Sequence, residues 1–122
     1  MSRSEQILKT IKGLATTTPD VQASAVVDND GLMIASALPQ DADEDTVAAM
    51  SAALLGLSER IASELGRGDL EMVMVRGNDG YSIISRCGPD AVLSILTSSN
   101  AKLGLVFLDT KRVAKEVARL LT

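Results

Sequence analysis

A chain of 122 residues with 46% hydrophobic and 23% charged side chains has the make-up of one globular domain, not of a disordered segment. Its formal net charge of -4 argues against a general affinity for nucleic acid or for an anionic membrane. With no His and a single Cys, the chain lacks the Ser-His and Cys-His nucleophile pairs, the commonest zinc ligand and any internal disulfide.

One Tyr and one Phe leave a core that must be aliphatic and Met-containing. No cofactor and no metal are expected, and any catalysis would fall to carboxylates or Lys. The opening MSRSEQILKTIKGL is no secretory signal, and no stretch is long and apolar enough to span a bilayer. With its lone Cys the chain is expected to be cytoplasmic, without direct membrane insertion.

Ser4 to Thr18 reads as a first helix capped by Ser4. Ile7, Leu8, Ile11 and Leu14 share its apolar face, Arg3, Lys9 and Lys12 lie among its polar positions, and Thr16-Thr17-Thr18-Pro19 ends it. Val21 to Asp28 is a strand with Val21, Ala23, Ala25 and Val27 on one side. Asp28-Asn29-Asp30-Gly31 turns it into Leu32 to Ala37.

Asp43 to Leu65 is one long helix, capped by Asp43, with Glu44 and Asp45 against its positive end and Gly66 and Gly68 closing it. Val47, Met50, Leu54, Leu57 and Ile61 form a stripe at steps of three and four. The far side is not charged, as it would be on an ordinary surface helix. It carries Ala49, Ala52, Ala53 and Gly56, a ridge that would let a second helix approach closely. A domain this small can cover one side of such a helix with its own sheet, so the other side calls for a partner.

A second hairpin follows, Leu70 to Arg76 against Tyr81 to Cys87, across Gly77-Asn78-Asp79-Gly80. Met72 to Val75 are consecutive apolar residues, as in a sheet covered on both faces. Ala91 to Thr97 is a fifth strand. Ala101 to Leu121 keeps a helical period through Leu103, Phe107, Thr110, Val113, Val117 and Leu121, with a basic outer face of Lys111, Arg112, Lys115 and Arg119. The expected fold is therefore α+β, in the order α-β-β-α-β-β-β-α. Its five-stranded antiparallel sheet has the long helix on one face and the terminal helices on the other.

The residue patterns that could carry chemistry have plainer readings. Arg60 and Arg67 read as solvated groups before they read as arginine fingers. Cys87 has no His to activate it. Asp28-Asn29-Asp30-Gly31 lacks the rest of a calcium loop, and Gly66-Arg67-Gly68 follows a helix where a phosphate loop would precede one. Arg67-Gly68-Asp69 reads as a turn. Asp41, Asp43, Glu44 and Asp45 read as helix-start charges before they read as a metal clasp.

Taken in order, VVDNDGLMIAS, the small-residue helix, MVMVRGNDGYSIIS and NAKLGLVFLDTKRVAKEV resemble the Roadblock/dynein light-chain family, whose fold is profilin-like. The resemblance covers nearly the whole chain. It is closest to stand-alone bacterial and archaeal members, including the gliding-motility regulator of a Ras-like GTPase. It implies a homodimer in which long helices pair and third strands meet, with an interface at Ala49, Ala52, Ala53, Gly56, Leu57, Met72 and Met74. It also implies a small Ras-like GTPase as partner, served by a non-enzymatic dimer that reshapes the switch regions without inserting a finger. Leu55, Ser58, Glu59 and Ser63 are the candidate docking residues. The alternative is a passive dimeric scaffold for a kinase, motor or membrane complex. A small-molecule sensor or a hydrolase finds less support, for want of convergent polar groups or a catalytic set.

Overall fold

Ser2, two residues before the expected cap, starts the first helix, α1 (Arg3–Thr17). Its hydroxyl accepts the Glu5 N–H at 3.1 Å while the Glu5 carboxylate reaches back to the Ser2 N–H, a reciprocal capping box. The computed structural model describes residues 1–122 and continues with β1 (Val21–Asp28), β2 (Met33–Ala37), α2 (Glu44–Glu64), β3 (Met72–Gly77), β4 (Gly80–Arg86), β5 (Ala91–Ser98) and α3 (Leu103–Leu121). Asp43 caps α2, accepting the Thr46 N–H at 3.2 Å, and this bond holds its carboxyl below the usual range.

The five strands form one antiparallel sheet in the order β2-β1-β5-β4-β3. The two hairpins thus flank the central β5, and α2 carries the chain from one edge strand, β2, to the opposite edge strand, β3. A 21-residue helix is about 30 Å long, ample to cross a sheet of five strands, roughly 19 Å between its edges.

Each sheet face has its own core. Ile7, Ile11 and Leu14 of α1 and Val106, Val113 and Val117 of α3 pack on Val26, Ile83, Leu93 and Ile95. On the other side Ala48 and Leu55 of α2 pack on Val27, Ile84 and Val92. Alternation along β4 and β5 therefore feeds two separate layers, as a doubly covered sheet requires.

Three expectations are corrected. Val21, Ala23, Ala25 and Val27 do not share one side, because the register shifts between Val21 and Ala23. Val21 joins the layer under α1 and α3, whereas Val27 lies under α2. Apolar contact on both faces holds for only half of the Met72–Val75 run. Met72 and Val73 reach the two cores, but Met74 and Val75 are exposed at the uncovered edge. The last helix begins at Leu103, because the Asp20 carboxylate accepts the Lys102 N–H at 3.0 Å and fixes Lys102 as its N-cap.

Candidate functional site: the open face of the long helix

The buried positions of α2 are Ala48, Ser51, Leu55 and Ser58, spaced by three and four residues. Small side chains on this inward face let the helix lie close to the sheet, and only Leu55 fills depth. The hairpin turn between β1 and β2 abuts the same helix. Asp28 Oδ1 accepts the N–H groups of Asp30 and Leu32 at 2.9 and 3.0 Å, and Gly31 takes φ +86° in the left-handed region. A Cβ at Gly31 would meet Ala52 Cβ at 3.6 Å and Ala49 Cα at 3.7 Å, ordinary contact distances, so the turn lies against α2 and the left-handed φ is what calls for glycine.

The large side chains point the other way. Met50, Leu57 and Ile61 are 60%, 58% and 51% exposed, with Leu54 and Val47 half-buried at the margin. The stripe that an ordinary amphipathic helix would turn to its sheet here faces solvent. Ala49, Ala53 and Gly56 are exposed beside it, and Ala52 is half-buried. Next to this face runs the free edge of β3, where Val75 is exposed on the α2 side of the sheet and Met74 on the other; Leu96 of the central β5 adds exposed apolar surface on the α2 side. The residues expected at an interface thus lie exposed or half-buried, on the open helix face and along the free edge.

The four candidate docking residues divide. Leu55 and Ser58 are 2% and 7% exposed and packed against the sheet of their own subunit, so neither presents a surface to a partner. The uncharged run hid which of its turns face inward. Glu59 and Ser63 line an open cleft of about 850 Å³ at the C-terminal end of α2, together with Gly66, Gly68, Asp69, Leu70, Arg86, Gly88 and Pro89.

Arg86, which no spacing in the sequence singles out, organises that end of the molecule. Its guanidinium donates to Glu59 Oε2 and to Asn29 Oδ1, each at 2.8 Å, and to the Pro89 and Ala91 carbonyls at 3.4 Å. One side chain thereby ties α2, the β1–β2 turn and the β4–β5 turn, with its charge paired to Glu59. Arg60 is bonded along its own helix to Glu64 at 3.3 Å, and Arg67 donates to the Leu65 carbonyl at 2.9 Å. Neither is aimed into the cleft as a free cation. Cys87 is buried, and burial pushes its thiol up to about 12, so it carries no reactive thiolate.

Residues 7–97 match the family model of the Roadblock/LC7 domain. The chain belongs to the Roadblock/LC7 family. This Roadblock chain is 39% identical over 100 residues to an uncharacterised protein of Methanocaldococcus jannaschii, covering 82% of this chain and 87% of that one. Among solved structures, an MglB described with a tetrameric arrangement superposes with a TM-score of 0.89 at 22% identity, covering 98% of this chain and 90% of that one. The gliding protein MglB of Thermus thermophilus does so with a TM-score of 0.87 at 21% identity, covering 98% and 91%. At such identities the likeness establishes a shared fold.

Proposed function

We propose that this Roadblock chain is a homodimeric, non-enzymatic regulator of a small Ras-like GTPase. One observation carries the reading: the long helix turns Met50, Leu57 and Ile61 outward, beside an unpaired strand edge. Burying such side chains fully is worth roughly 1.5–3 kcal/mol each, and about half of that is still to be gained from their present exposure. Doubled by two-fold symmetry and joined by backbone pairing of two β3 edges, the gain is comparable with the roughly 4–15 kcal/mol that association costs. Ala49, Ala53 and Gly56 would let the paired helices approach, and Met72 and Met74 would lie at the seam of the joined sheets. The tetrameric arrangement described for an MglB supports the reading that chains of this fold self-assemble.

The cleft at the end of α2 is the proposed docking site, with Glu59 and Ser63 on its helical wall. The dimer would act by holding the switch segments of its partner in place, without an arginine finger. GTP hydrolysis by Ras-like GTPases from the same cell, measured with and without this chain, tests the reading. A changed rate that is lost in the Ser63→Arg variant is the expected result. Unchanged hydrolysis together with no complex on gel filtration would refute it, and a complex without a change in rate would select the passive scaffold.

A further inference from the structure

The net charge of -4 conceals a division between the two faces of the sheet. Helices α1 and α3, which lie together on one face, carry seven Lys and Arg against three Asp and Glu. The rest of the chain carries five against thirteen, so a layer of net +4 backs a body of net -8. Arg112 and Arg119 pair with Asp109 and Glu116 on their own helix. Arg3, Lys9, Lys12, Lys111 and Lys115 are all exposed and make no ion pair. Two large apolar side chains stand out among them, Leu105 at 45% and Leu108 at 66% exposure. Leu105, Leu108, Arg112, Lys115 and Arg119 recur at steps of three and four, which makes them one outward stripe of α3.

From this arrangement we propose that the α1/α3 layer is a docking surface for an anionic phospholipid bilayer. Charge complementarity sets the sign of the partner, and the shape of the surface sets its class. The cations are spread over two adjacent helices, which suits an extended plane of negative charge. Leu105 and Leu108, exposed among those cations, supply apolar tips of the kind that settle at the boundary between headgroups and chains. Nucleic acid would have no use for them, and no exposed aromatic ring on this layer offers a base a stacking partner. A second copy, placing its acidic side on this layer, would make a head-to-tail contact that leaves the same two faces free at each end and builds rings or filaments of many copies. A bilayer ends the contact after one layer. The inference stands on a single subunit and needs neither the dimer nor the GTPase. Should the β3 edges pair, both basic layers would lie on the same side of the joined sheet.

The test is cosedimentation of the full chain with vesicles of phosphatidylcholine alone and of phosphatidylcholine with about one-third phosphatidylserine. Binding to the anionic vesicles only, and its loss in about 0.5 M salt, is the expected result. Each cation near such a surface contributes about a fivefold factor, so Lys111→Ala with Lys115→Ala lowers partitioning about 25-fold. Leu105→Ser with Leu108→Ser lowers it several-fold while leaving the charge intact. All four positions are exposed, and unchanged circular dichroism and sedimentation of the protein alone check that the variants are folded. No binding to anionic vesicles, equal binding to neutral ones, or variants that bind like the parent would overturn the proposal. So would pelleting of the protein alone at low salt, or tighter binding to duplex DNA than to the vesicles.

Discussion

At the scale of single residues, two buried side chains have readable consequences. Thr110 lies fully buried in α3 with its hydroxyl unpartnered. An unsatisfied hydroxyl in an apolar layer costs more than the methyl that would replace it. Thr110→Val is therefore expected to raise stability by about 1 kcal/mol, read as a higher urea midpoint at unchanged slope. Cys87 is raised to about 12 by burial, against an ordinary value near 9.0. In native protein at pH 8 it is expected to resist a thiol reagent that labels it promptly in urea. Between pH 9 and 12 the unfolded chain has lost this proton while the folded chain keeps it, so stability falls as pH rises. The slope is at most about 1.4 kcal/mol per pH unit, and Cys87→Ala should flatten it.

The element whose placement matters most is α2. Leu55 and Leu57 stand two positions apart in the same uncharged run, yet one is buried in its own subunit and the other exposed. Leu55→Ala is expected to cost about 2–4 kcal/mol of folding stability, since it empties the deepest contact under the helix. Leu57→Asp is expected to leave the fold intact and to halve the sedimenting mass, because the charge falls on the proposed seam between subunits. If Leu57→Asp sediments like the parent protein, the open face pairs with nothing and the homodimer is wrong. Both hairpins and all three helices can be read from the chain through alternation, helical periods and turn residues. Their ends shift by one or two residues where an unforeseen hydrogen bond intervenes, as Asp20 does for α3.

For the molecule as a whole, Arg86 is the tie whose removal should be felt furthest away. Arg86→Met leaves the Glu59 carboxylate and the Asn29 Oδ1 without their partner and frees the end of α2 from both turns, while Asn29 keeps its bond to the Pro89 carbonyl. A loss of about 1–3 kcal/mol is expected, moderated because Glu59 is partly exposed. Faster amide exchange in Glu59–Glu64 than in α1 would locate the loosening at that end of the helix. Glu59 was legible as a candidate, but its bond to a residue 27 positions away was not. Sequence spacing carries no trace of contacts made across the sheet.

Composition and periodicity alone determined the order of the elements, the doubly covered sheet and the presence of one helix with no charge on either side of its middle, because these depend on neighbours within a few residues. Which face of that helix turns inward was decided only in three dimensions. A period shows which residues share a side, and when both sides are apolar, the closeness of packing selects between them. Here the small residues Ala48, Ser51 and Ser58 allow close approach to the sheet, so Met50, Leu57 and Ile61 are left outside. The same holds for charge. A sum over the chain gives -4, and only the placement of α1 beside α3 divides it into a basic layer and an acidic body.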